Sequence, residues 1–66
     1  MQIYINGTSY NFQANISIKA LVNKLDLEGK RIAIEVNQQL VPRSSFAEHQ
    51  LSDQDRVEII HAVGGG

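Results

Sequence analysis

The sequence predicts an α+β domain in which one main helix covers one face of a mixed sheet of four to five strands. Three observations carry this expectation: two alternating polar-apolar runs joined by Asn6-Gly7, one stretch of helical period at 17–25, and a return to period two from residue 31 onward. The chain has 66 residues, 42% hydrophobic and 20% charged, which is material for a single domain over 1–66 with one lean core. The expected order is β-β-α-β-β-β, with a short turn segment before the last strand. One amphipathic helix on one sheet is the two-layer arrangement that buries a face of each.

Residues 1–13, MQIYINGTSYNFQ, give the sharpest local signal. Asn-Gly suits the two positive-φ positions of a type I′ turn, and a two-residue loop pairs Ile5 with Thr8, Ile3 with Tyr10 and Met1 with Phe12. That register gathers Met1, Ile3, Ile5, Tyr10 and Phe12 on one core face and sends Gln2, Tyr4, Ser9 and Asn11 to the other. In SIKALVNKL, residues 17–25, Ile18, Leu21, Val22 and Leu25 form an apolar stripe, Ser17 is placed to cap the first turn, and Gly29 offers an exit from helical geometry after Leu27.

RIAIEVN, residues 31–37, sets Ile32, Ile34 and Val36 against Ala33 and Glu35. A short strand through QLV follows, ended by Pro42, which has no amide hydrogen to give an interior rung. Phe46 is expected to anchor a short turn or 3₁₀ segment. SDQD reads as a polar turn, and VEIIHAV, 57–63, as a final strand with Val57, Ile59 and Val63 on one parity.

Ordinary catalytic chemistry finds no footing. Seven acidic residues include no metal-ligand spacing with a histidine, and Asp53-Gln54-Asp55 lacks the rest of a calcium loop. His49 and His61 have no motif supplying an orienting acid and a nucleophile, and no serine stands in a G-x-S-x-G elbow. A sheet with one helix leaves little room for a cleft of several hundred cubic ångströms. No enzyme, bound cofactor or metal is expected. The formal charge of -1, with no basic block longer than Lys30-Arg31, argues against nucleic acid and anionic lipid as partners. A start on MQIYI without a basic-then-apolar leader gives a cytoplasmic expectation.

The sequence ends HAVGGG, three glycines directly after a β-branched strand. Glycine buries no side chain and loses the most backbone freedom on ordering, so this ending is expected to reach rather than to pack. A narrow strip can be threaded through a channel where a β-carbon would clash, presenting the Gly66 carboxylate to a partner's active site. A carboxylate resists nucleophilic attack, so loading it requires activation, and an acyl-adenylate attacked by a sulfur donor would leave a thiocarboxylate. The chain contains no cysteine, and this route needs none. VGGG without a following Lys-Ser/Thr and helix is not a phosphate loop.

The hairpin, ISIKALVNKL, VNQQLVPR at 36–43 and VEIIHAVGGG at 57–66 together resemble the sulfur carrier family of thiamine biosynthesis, whose fold is the ubiquitin-like β-grasp. The resemblance covers nearly the whole chain. It departs at Phe46, where the family often has tryptophan, and at Gln54-Asp55, where Gly-Asp is usual. The resemblance implies that Gly66 is adenylated at the expense of ATP by an adenylyltransferase related to ubiquitin-activating enzymes. Gly65 and Gly64 would form the tail inside partner active sites. Sulfur would come from a cysteine desulfurase, through a rhodanese-like or other intermediate, and pass to thiazole synthase. Molybdopterin and tRNA-thiolation carriers, and a ubiquitin-like interaction module or protein modifier, are the alternative readings.

Partner contacts are expected on the sheet face turned away from the helix. Ile60 and Ala62 lie there if Val57 and Ile59 face the core, with Ala33 and Tyr4 as neighbours. His61 stands beside this surface, and Arg43, Arg56 and Glu58 are candidate rim charges.

Overall fold

The computed structural model describes residues 1–12 and 15–61. The elements follow the expected order: β1 (Gln2–Ile5), β2 (Thr8–Asn11), α1 (Ile18–Lys24), β3 (Ile32–Val36), β4 (Gln39–Val41), a 3₁₀ turn (Arg43–Ser45) and β5 (Arg56–His61). They form one five-stranded sheet in the order β2-β1-β5-β3-β4. The β1–β5 pair is parallel and the other neighbours are antiparallel, so the last strand enters the middle of the sheet. This is the mixed β-grasp arrangement that the sequence predicts.

Asn6 (φ 49°) and Gly7 (φ 85°) make the first hairpin turn, and the β1–β2 register is the expected one. Backbone bonds of 2.8 Å in both directions between Met1 and Phe12 continue the pairing. Tyr10 is a correction. It shares the parity of Ile3 but is 40% exposed, because β2 is the edge strand and all four of its residues face solvent.

Ser17 caps α1, its Oγ accepting from the Ala20 N–H at 3.1 Å, and Ile18, Leu21 and Val22 are buried as the stripe requires. The helix stops earlier than Gly29 suggested. Asp26 takes the left-handed conformation (φ 59°), its N–H donates to the Asn23 carbonyl at 3.1 Å, and the Leu27 N–H donates to the Val22 carbonyl at 2.9 Å. That bond pair is a Schellman ending built on aspartate, which can tolerate this conformation. Gly29 (φ 82°) instead serves the next turn, where the Lys30 N–H donates to the Leu27 carbonyl.

A second two-residue hairpin, not identified from sequence, joins β3 to β4 through Asn37 (φ 51°) and Gln38 (φ 71°). Pro42 closes β4, and Phe46, at the end of the 3₁₀ turn, is buried. The core gathers Ile3, Ile5, Ile34, Val36, Val57 and Ile59 from the sheet against the helix stripe, with Ile16 and Leu51 closing it; the Leu51 N–H donates to the Ile16 carbonyl at 2.8 Å. β5 begins at Arg56, one residue before the expected start, and Val63 lies outside the described residues.

Candidate functional site

With Val57 and Ile59 buried in the core, the alternate residues of β5 face outward: Arg56, Glu58 and Ile60. Strand register places Tyr4 beside Arg56, Glu35 beside Glu58 with Leu40 beyond it, and Ala33 beside Ile60. The outer face therefore carries successive rungs about 7 Å apart. Leu40 and Ile60 are 66% and 47% exposed, large apolar side chains on a face that the helix does not cover.

At the far end of β5 a depression of about 280 Å³ is lined by Arg31, Ile32, Ala33, Arg43 and Ile60. Arg43 reaches it from the 3₁₀ turn. Its Nη2 donates to the Lys30 carbonyl at 3.1 Å, and its guanidinium carbon stands 5.9 Å from the Phe46 ring centroid, so the turn anchored by Phe46 also aims the arginine. At the other end, the Arg56 guanidinium lies 5.3 Å from the Tyr4 ring centroid, within range of a cation–π contact.

The structure thus gathers Ala33, Arg43 and Ile60 around one depression and sets Tyr4 at the opposite end of the face. His61 pairs with Ile32 and has the parity of the core face, so it projects away from Ile60. Ala62, Gly64, Gly65 and Gly66 lie outside the described residues. The side chain that sequence reasoning missed is Leu40; its role became legible only when the Asn37-Gln38 turn fixed the β4 register.

Among the described residues no group of three or more His, Cys, Asp or Glu side chains is placed to hold a metal, and no helix is long and apolar enough to cross a membrane. The expectation that a cleft would not fit is not met. An open groove of about 610 Å³ runs beside α1, with Asn11, Phe12, Ser17, Ala20, Lys24 and Gln50 in its lining. Among the described residues its lining holds no carboxylate, histidine or cysteine.

Comparison with known proteins turns on the region from β1 to the last glycine: the pattern of the ThiS family matches residues 3–66. The chain belongs to the ThiS family. The sulfur carrier protein ThiS of Escherichia coli is 32% identical over 66 residues, which is the full length of both proteins. A thiazole synthase of Paramagnetospirillum magneticum is 38% identical over 66 residues; the chain spans only 20% of that protein's length. The crystal structure of the thiamine biosynthesis protein ThiS from Geobacter metallireducens superposes with a TM-score of 0.86 at 23% identity, covering both chains completely, and so establishes the shared fold. The outer face and the depression involve Ile60 near the end of β5, the last described strand before glycines 64–66 in the sequence.

Proposed function

We propose that this protein is a sulfur carrier for thiazole formation in thiamine biosynthesis, with residues 1–66 acting as one domain whose glycines 64–66 form the working tail. The carrying observation is that membership of the ThiS family extends through Gly66, the residue whose carboxylate the chemistry needs. The Gly66 carboxylate attacks the α-phosphate of ATP in a partner adenylyltransferase, pyrophosphate leaves, and an acyl-adenylate forms. The terminal sulfur of a persulfide supplied by a cysteine desulfurase or rhodanese-like protein then displaces AMP to give an acyl disulfide. A thiol of the donor system cleaves its S–S bond, leaving the thiocarboxylate on Gly66 and a disulfide on the donor side. That sulfur is handed to thiazole synthase. The chain is the substrate and vehicle of these steps rather than their catalyst.

Two features support the reading. The absence of cysteine leaves the chain no thiol on which to carry sulfur. A stretch similar to the whole chain also occurs within a protein named thiazole synthase, which favours that enzyme class as recipient. On the partner surface, Ile60, Ala33 and Arg43 would dock beside the channel that receives Gly64 and Gly65, with Tyr4 at the far edge and Ala62 leading inward; His61 would contact the partner from the other side of the strand. The test is reconstitution with the cognate adenylyltransferase, ATP and a sulfur donor, followed by intact mass analysis. Replacement of one terminal oxygen by sulfur at Gly66 is expected, and an unchanged mass would refute the reading.

A further inference from the structure

We infer that the rung formed by Glu58, Glu35 and Leu40 selects the partner by receiving one cationic side chain, best an arginine, from the adenylyltransferase surface that meets Ile60. The partner's identity rests on the carrier reading above; the rung's chemistry comes from this chain. Glu35 and Glu58 are directly opposite on adjacent antiparallel strands, and like charges at that position are destabilising. Nothing in the core demands them, since both belong to the uncovered face.

The chain's own cations do not relieve the pair. Among the described residues neither carboxylate has a hydrogen-bond or ion-pair partner. Arg56, the nearest cation on the same strand face, stands over Tyr4 on the other neighbouring strand, and Arg43 is engaged with the Lys30 carbonyl. A guanidinium from outside fits the vacancy in charge, because its planar fork bonds carboxylates in pairs. The exposed Leu40 on one side and Ile60 on the next rung supply an apolar surround that excludes water from such a contact.

The same pattern argues against a second copy of this chain as the occupant. A two-fold contact centred on the rung would bring both subunits' carboxylate pairs together with no cation between them. A heterologous protein with a cation set among apolar residues is the complementary surface.

The experiment compares the wild type with Glu35→Gln, Glu58→Gln, the double variant and Glu58→Lys. Binding to the cognate adenylyltransferase is measured by calorimetry at low and high salt, alongside thermal midpoints of the isolated chains. The double variant should bind on the order of tenfold more weakly and show a flatter salt dependence, while its midpoint stays level or rises. Glu58→Lys should go further in both directions, since it gains a cross-strand ion pair with Glu35 yet repels the incoming cation. Weaker binding without any loss of stability separates recognition from a scaffold role. Equal affinity and equal salt dependence of the double variant would overturn the inference. Thiocarboxylate formation by the wild type in the same mixtures keeps the outcomes apart: with charging intact, only the rung assignment would fall, whereas a wild type that is neither bound nor charged would remove the carrier reading and this inference together.

Discussion

The side-chain amide of Asn6 bonds both polar groups of the Ile59 backbone: its Oδ1 accepts from the Ile59 N–H at 2.8 Å and its Nδ2 donates to the Ile59 carbonyl at 3.3 Å. The Asn6 N–H also donates to the Val57 carbonyl at 2.9 Å. A turn residue thereby extends the short parallel pairing of β1 with β5, which otherwise spans only Tyr4–Arg56 and Ile5–Val57. One asparagine closes the first hairpin and holds the last strand just before Ile60.

Replacing Asn6 should expose these contributions separately. Asn6→Gly keeps the positive φ but loses both side-chain bonds, at about 1 kcal/mol for each net hydrogen bond. Asn6→Ala loses the same bonds and keeps a β-carbon in the left-handed region without asparagine's tolerance for it, about 1–2 kcal/mol worse than glycine there. Urea midpoints in the order wild type, glycine variant, alanine variant are expected; equal midpoints would show that the bonds to Ile59 contribute nothing.

Gln54 offers the opposite experiment. Its φ of 73° lies where a side chain is strained, in the turn held by the Asp55 carboxylate, whose Oδ2 accepts from the Ser52 N–H at 2.8 Å and whose Oδ1 accepts from Asn37 Nδ2 at 3.0 Å. Gln54→Gly removes the strain while retaining the 2.7 Å backbone bond to the Gln2 carbonyl. Greater unfolded-chain freedom offsets part of the gain, so a net stabilisation of about 0.5–1 kcal/mol is expected. Calorimetry should show a midpoint several degrees higher, on the order of 4–8 °C per kcal/mol for a domain of this size. A fall in midpoint would contradict the strain argument.

These two turns also mark what the sequence made legible. Asn6-Gly7 announced its turn because glycine at a paired positive-φ position is a local signal, and the β1–β2 register followed from it. Asn37-Gln38 and Gln54 adopt the same backbone region without glycine, held there by long-range bonds: the Asn37 N–H donates to the Arg56 carbonyl, and Asn37 Oδ1 accepts from the Arg56 N–H. Short-range residue type cannot report such bonds. The same limit hid the place of Leu40, whereas Ile60 and Ala33 were legible because strand parity alone sets their face. The glycine end was read for its chemistry rather than its packing, and it lies outside the described residues.

Leu21→Ala tests the scaffold. Leu21 is wholly buried on the helix stripe, and truncation should cost about 2–5 kcal/mol. Denaturant unfolding measures the cost, and charging of Gly66 should persist at temperatures where the variant is still folded. Full loss of charging in a demonstrably folded sample would place Leu21 in recognition instead.

Ile60→Asp tests the outer face. At 47% exposure, the residue can take a carboxylate without burying it, so circular dichroism should be unchanged. A charge at the centre of an apolar contact is poorly tolerated, and affinity for the adenylyltransferase should fall at least about tenfold. Undiminished binding by the folded variant would remove Ile60 from the interface.

Gly65→Ala with Gly66→Ala tests the proposed tail chemistry. Each substitution adds one methyl group to the tail and leaves the described core and the docking residues Ala33, Arg43 and Ile60 as they are, so neither folding nor initial capture should change. The effect belongs to the step after capture. A β-carbon widens the strip and narrows its accessible backbone conformations, and the carboxylate must still reach the α-phosphate in line. Misplacement of a reacting atom by about 1 Å can cost about a hundredfold in rate. The double variant should therefore bind the adenylyltransferase with wild-type affinity yet form the acyl-adenylate on the order of a hundredfold more slowly, as read by pyrophosphate release in single-turnover experiments. The split between binding and turnover is the diagnostic feature, since unfolding or loss of the docking face would weaken both. Charging at the wild-type rate would mean that the narrowness of the glycine strip has no part in the reaction.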